Sequence, residues 1–245
     1  MRHLRSDRTS YALDEFGNTV KDEFGRLVKS GSSDEAVEST ILDMFAVHLR
    51  KERRSRENEV TVRQQVEDDQ LWCDCRFDFY GTAFHGVVSF ADFMFENETG
   101  FSDVIFEGAA DFSNATFEGT ADFSDATFKD RAFFFSDATF KDTAGFSDAT
   151  FERMAVFSDA TFKGTAVFSD ATFERMAVFF NATSEGTAVF SDATFKNGAD
   201  FSNAKFNRKY RNATHPFYKW GPISIPPYND GLPAGAKWAE LEENS

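Results

Sequence analysis

The chain has 245 residues, 41% of them apolar, with 32 Phe and a formal net charge of −15. So large a Phe excess in an otherwise polar chain excludes an ordinary mixed core and points to one assembled by repetition. The acidic balance argues against direct binding to a nucleic acid backbone, which asks for Lys and Arg, and no run of 18 apolar residues offers a membrane span.

Residues 1–33 contain a short direct repeat, DEFGNTVK followed by DEFGRLVK. Gly17 and Gly25 mark turns between short extended pieces, so this stretch is expected to be extended or flexible. The opening residues carry positive charge but no apolar stretch, so a secretory leader is not expected and the cytoplasm is the expected compartment.

Residues 34–76 are expected to form a helical N-terminal cap. Ser32 and Glu35 fit a capping box, and Val37, Ile41, Met44, Phe45 and His48 or Leu49 share one face of a helix predicted over 34–56. A solenoid end exposes unpaired backbone and apolar core, and covering it is the expected role of this helix. Cys73 and Cys75 alternate with Phe77 and Phe79, so all four are expected to point inward on an entering strand. A C-x-C pair is not a disulfide framework, and His3, His48, His85 and His215 lack zinc-ligand spacing. No metal or other cofactor is expected.

From Phe79 to Phe206, Phe recurs at alternating spacings of five and six. Units such as FSDATFKDTAG therefore repeat every eleven residues, and twelve of them fit. Ala two residues before Phe forms an inward small–large strand pair. The segment ERMAVF at 152–157 returns at 174–179, which predicts 22 residues per coil and about six coils. Two irregularities stand out: a one-residue slip at Arg131–Phe135, expected to bulge outward, and Ser184, which occupies a Phe position.

This repeat resembles the pentapeptide-repeat family, whose unit is a small residue, a polar residue, a central Leu or Phe and two variable positions. The resemblance implies a right-handed quadrilateral β-helix over residues 77–206, without catalytic activity. It also implies an alternative role as a DNA-mimicking rod that binds gyrase and confers quinolone resistance. The chain departs from the family pattern in its eleven-residue unit and in the frequent Thr or Val before Phe.

The repeat carries most of the charge: residues 79–206 hold 20 acidic and 8 basic residues, a net −12. Asp103, Asp125, Asp148, Asp170 and Asp192 are expected to stack on one corner, and Asn114, Asp137, Asp159, Asn181 and Asn203 on the opposite one. Such uniform rows lack the differentiated environments that acid–base catalysis needs. No nucleophile–His–acid set or phosphate loop accompanies them, so no enzyme is expected. The candidate partner-binding set is instead apolar: Phe134, Val156 and Val178 stacked outward, flanked by Met154, Met176, Arg153 and Arg175. A protein partner or self-association is expected there, because contiguous exposed apolar area marks interaction sites. Residues 207–245 turn aromatic and Pro-rich and are expected to pack irregularly on the last coil before an acidic tail.

Overall fold

The computed structural model describes residues 53–54, 61–62, 75–130, 132–207, 223 and 225–239. The F-S-D-A segment dictates its local geometry. The Ala N–H returns to the Phe carbonyl, as from Ala149 to Phe146 at 3.3 Å. The Asp between them has a left-handed backbone, with φ near +57° at Asp148. A turn with positive φ at its third residue needs Gly, Asn or Asp. All eleven such corners from Asp92 to Asn203 carry Asp or Asn. The chain is thus turned twice in every coil, and strands of two or three residues run between the turns.

Those strands form four parallel sheets. The first face runs from Phe77–Asp78 through Ala121–Asp122 to Ala188–Val189, and the second from Ala83–Phe84 to Thr194–Phe195. The third runs from Val88–Ser89 through Ala132–Phe134, Met154–Val156 and Ala177–Val178 to Ala199–Asp200. The fourth runs from Met94–Phe95 to Lys205–Phe206 and gains a seventh strand, Lys237–Trp238. Thr150 pairs with Thr172 and Thr172 with Thr194, the expected 22-residue period. Six turns of a parallel β-solenoid result.

The period lengthens once. Asp111 pairs with Phe134, 23 residues later, so the extra residue falls between Phe128 and Phe134, ahead of the third face. The slip expected at 131–135 is therefore real, but Arg131 and the side chains of Ala132 and Phe133 lie outside the described residues, and with them the expected bulge.

Phe from all four sides fills the interior. Except where Ser184 interrupts one ladder, rings stack on their equivalents in the next coil, at 4.7 Å for Phe101 on Phe123 and 5.3 Å for Phe84 on Phe106. Within the core each also meets others edge-on, as Phe135 meets Phe146 at 5.4 Å and 84°. Both arrangements suit the aromatic quadrupole. The expected ladder Phe135, Phe157, Phe179, Phe201 is present at 4.9–5.0 Å. Ala at the preceding inward position leaves room for it. Where the position is enlarged, to Phe93 or Val104, it lies in the first coils, and both side chains are still buried.

Coils also approach closely at the corners of the six-residue halves. A Cβ on Gly186 would stand 2.0 Å from the Gly164 carbonyl oxygen, so glycine is required there.

Three expectations need correction or closer definition at the ends. The helix predicted over 34–56 lies outside the described residues except at its last turn, where Arg53–Arg54 is a strand paired antiparallel with Thr61–Val62. A helix therefore does not reach 56, and the β-branched Thr61 and Val62 suit the strand that pairs with Arg53–Arg54. Cys75 is exposed rather than inward, while Phe77 and Phe79 are buried. The first coil begins only at Phe77, and Cys75 precedes the pairing that would have turned it inside. Cys73 lies outside the described residues.

At the other end the aromatic segment adds a partial coil. Lys237–Trp238 pairs with Lys205–Phe206 in parallel, with Leu232 and Ala236 buried beside it. The Asn229 side chain donates to the Leu232 carbonyl at 3.1 Å and to those of Pro233 and Ala236, holding the loop closed. A-K-W at 236–238 repeats A-K-F at 204–206, a signal of this strand present in the sequence but masked by the change of composition around it.

Candidate functional site

With the core uniform, any site must lie in what the faces present outward. The second and fourth faces show mostly Thr, such as Thr127, Thr150 and Thr172, or Thr116, Thr139 and Thr161. The outward row of the first face is Asp78, Gly100, Asp122, Gly145, Val167 and Val189. Gly100 and Gly145 make room for carboxylates there: a Cβ on either would meet Asp78 Oδ1 at 3.3 Å or Asp122 Oδ1 at 3.2 Å.

Asp122 is the most elaborated acidic residue. Its carboxylate accepts the Ser124 hydroxyl at 2.6 Å, the Ser102 hydroxyl at 2.7 Å and the Ser124 N–H at 3.0 Å. Partial burial alone would raise its pKa, but those three donors outweigh it and hold the carboxyl below the usual value. Asp111 and Asp200 likewise accept the N–H two residues on, at 2.9 and 2.8 Å. Strand-end Asp residues therefore supply the Asx acceptors, while the corner Asp residues serve through their left-handed backbones.

The two corner rows form as expected. Asp103, Asp125, Asp148 and Asp170 each donate a backbone N–H to the Ser carbonyl of the next coil, at 2.9–3.0 Å, which fixes them one above another. The Asp125 carboxyl is pushed up, by desolvation first and then by Asp148, Asp103 and Asp122. On the other corner, Asn181 donates its side-chain amide to Asp159 at 3.1 Å, so Asn relieves the repulsion between neighbouring charges.

A carboxyl whose folded pKa is raised opposes folding when ionised, and this penalty disappears as pH falls through that pKa. Asp122 acts oppositely: its contribution is complete above the usual carboxylate range and is lost as pH falls through its lowered pKa. Asp125→Asn is therefore expected to raise the melting temperature slightly at neutral pH and low salt, because Asn holds the same φ at Asn114. The gain should shrink both in strong salt and at pH values where wild-type Asp125 is protonated. Equal melting temperatures under all these conditions would show that the row carries no repulsion.

The third face carries the predicted apolar set. Phe134, Val156 and Val178 are successive partners in the parallel register, so they stack in one outward row. Phe134 and Met154 are each 39% exposed and Met176 is 46% exposed. Arg153 and Arg175 are exposed at the edge where the strands enter, and neither has an ion-pair partner among the described residues. All seven predicted residues are thus brought together. One was missed: Phe180, 38% exposed at the opposite edge, in the position occupied by Ser136, Ser158 and Ser202 in other coils. The doubled Phe at 179–180, where other units read Phe-Ser, was its signal.

Elsewhere the surface is laced by exposed cross-coil pairs, including Lys141–Glu118 at 2.7 Å and Lys196–Glu174 at 2.6 Å. Such pairs contribute little stability individually. Beneath the fourth face a cavity of about 20 Å³ lies around Ser184, between Phe162 and Phe206, room for about one water at most. Among the described residues, no group of three or more His, Cys, Asp or Glu is placed to hold a metal ion, and no helix is long and apolar enough to cross a membrane.

Residues 90–134 and 135–183 match, as two tandem copies, the family described as pentapeptide repeats (9 copies). The break between the copies coincides with the one-residue lengthening ahead of Phe134–Phe135. No curated protein matches the chain.

Proposed function

We propose, from the match of residues 90–134 and 135–183 to pentapeptide repeats, that the protein is a non-catalytic scaffold: a cytoplasmic, right-handed quadrilateral rod whose third face docks a protein. One observation carries this reading. The outward rows of the second and fourth faces are mostly Thr and that of the first mixes Asp, Gly and the pair Val167 and Val189, whereas the third presents Phe134, Val156 and Val178 in register, with Met154, Met176 and Phe180 beside them. Exposed apolar side chains gathered on one side of a soluble rod support a protein contact more than chance placement. The rigid core supports it too, since a docking surface on stacked strands is ordered before its partner arrives.

Affinity capture from the native host tests it, comparing the wild-type chain with Val156→Glu/Val178→Glu. These side chains are only partly buried, so the variant is expected to fold and to lose a protein that the wild type retains. Identical captured sets for the two would sink the reading.

The acidic surface favours a second role, imitation of duplex DNA toward a type II topoisomerase. The continuous row Asp103, Asp125, Asp148, Asp170 and Asp192 supports it as one phosphate-like line. The other line is interrupted by Asn114, Asn181 and Asn203, which leaves the scaffold reading ahead. Unchanged gyrase supercoiling at micromolar protein would remove the alternative.

A further inference from the structure

The third face ends on a corner unlike those beneath it. Its last strand, Ala199–Asp200, pairs on one side only, with Ala177–Val178. Asn197 and Gly198 lead into it, where the two coils below have Arg175 and Met176, or Arg153 and Met154. This is the only Asn-Gly step in the sequence. Gly198 has a φ of +87°, in the left-handed region that neither Met154 nor Met176 enters. Asn197 stands in a turn, and both residues are exposed. The Gly198 N–H makes no hydrogen bond among the described residues, and a Cβ there would meet nothing within 4 Å.

We propose that Asn197 is a site of spontaneous deamidation, with the Gly198 nitrogen as the nucleophile and water as the only co-reactant. Base takes the Gly198 amide proton and the nitrogen attacks Asn197 Cγ. The N–Cγ bond forms, the Cγ–Nδ2 bond breaks, and ammonia leaves. Water then opens the five-membered imide at one of its two carbonyls, giving Asp or isoaspartate. Gly suits the second position because no Cβ crowds the closing ring and its backbone is permissive. The corner residues Asn114, Asn181 and Asn203 are placed oppositely. Each precedes an Ala whose N–H is already bonded, from Ala115, Ala182 and Ala204 to the carbonyls of Phe112, Phe179 and Phe201. One contact restrains Asn197: its side-chain amide donates to the Glu174 carbonyl at 2.7 Å. Ring closure proceeds while that bond is open, and an exposed bond at the last strand of a sheet is among those that open locally at least cost.

The product alters the end of the rod. An ionised carboxylate at 197 has no proton to give the Glu174 carbonyl, and it joins Glu152 and Glu174 in a hollow shared with Arg175 and Lys196. Isoaspartate also lengthens the main chain by one carbon just ahead of the Gly198 carbonyl, which accepts the Ala177 N–H at 3.2 Å. The last rung of the third face therefore loosens, and the change is irreversible without repair.

Peptide mapping by mass spectrometry tests this on the full folded chain, aged at about pH 6 and about pH 9 before digestion. Digestion in heavy-oxygen water marks any conversion that occurs during the digest. The expected result is a gain of about 1 Da at Asn197, faster at the higher pH and roughly tenfold or more ahead of Asn114, Asn181 and Asn203. Gly198→Met restores the residue of the two coils below and is expected to slow the conversion about tenfold or more. Should that variant fail to fold, Asn197→Gln keeps the amide donor while closing only a slower six-membered ring, and is expected to lose the gain. Hydrogen exchange at Ala177 is expected to quicken in the aged wild type and not in the variant. Asn197 left intact at the higher pH overturns the proposal, as does conversion equal to that of the corner Asn residues or unaffected by Gly198→Met. A converted chain with unchanged exchange at Ala177 refutes the loosening of the last rung.

Discussion

Phe146→Ala is expected to cost about 3–5 kcal/mol of folding stability, the range for emptying a buried aromatic site. Phe146 is wholly buried in a central coil. It stacks on Phe123 at 5.0 Å and on Phe168 at 4.9 Å, and meets Phe135 and Phe157 edge-on at 5.4 and 5.5 Å. Neighbours above and below are held by backbone ladders and cannot close the gap by sliding inward. With a domain's total stability of about 5–15 kcal/mol, one such loss is a large share of the whole. Phe195→Ala is the matched control. Phe195 is only partly buried, near the end of the repeat, and stacks on Phe173 at 4.7 Å. In a stack of nearest-neighbour interfaces, a central rung loses two partners and a terminal rung one. The denaturant midpoint should therefore fall much further for Phe146→Ala than for Phe195→Ala. Equal shifts would contradict a core made of continuous ladders.

Ser184→Phe is expected to stabilise the protein by about 1–2 kcal/mol. Ser184 pairs in register with a Phe on both sides, Phe162 of the Thr161–Phe162 strand below and Phe206 of the Lys205–Phe206 strand above, and is buried. The two Phe rungs thus hold a slot at ladder spacing without a ring in it. Two effects oppose the gain. The remaining cavity is only about 20 Å³, so its lining has partly closed and must reopen, and the Ser184 hydroxyl gives up its 3.2 Å bond to the Gly186 carbonyl. That bond is worth about 1 kcal/mol. Reopening is cheap because the parallel register already sets the backbone at its proper height. Completing the stack therefore outweighs both losses, though by less than the full cost of removing a ring elsewhere. Thermal melting of the single variant measures it, and a lowered melting temperature would mean that the collapsed lining, not the ladder, governs this coil.

The five/six alternation of Phe was enough to set which side chains face inward, because a strand pair two residues apart leaves no other choice of face. The 22-residue return of ERMAVF likewise set the coil, and so placed Phe134, Val156 and Val178 in one row. Ser184 was legible as a defect for the same reason. What the sequence could not supply is whatever depends on the distance between coils. The role of strand-end Asp122 as a hydroxyl and N–H acceptor depends on Ser102 lying one coil away, and the need for Gly186 depends on the backbone of Gly164 beneath it. Phe180 stands at a Ser position of the repeat, and only the corner geometry shows that its ring joins the edge of the third face. Cys75 fits the inward alternation by spacing alone, yet stands outside because pairing starts at Phe77. Trp238 joins the fourth face only through a 32-residue return that no local period announces.

Repetition therefore determined the core of this protein, since each unit carries its own inward and outward instruction. The tertiary structure decided the surface and the ends. There, the neighbouring coil, or its absence, sets which charges meet, which aromatic stays dry and where an apolar row is left open.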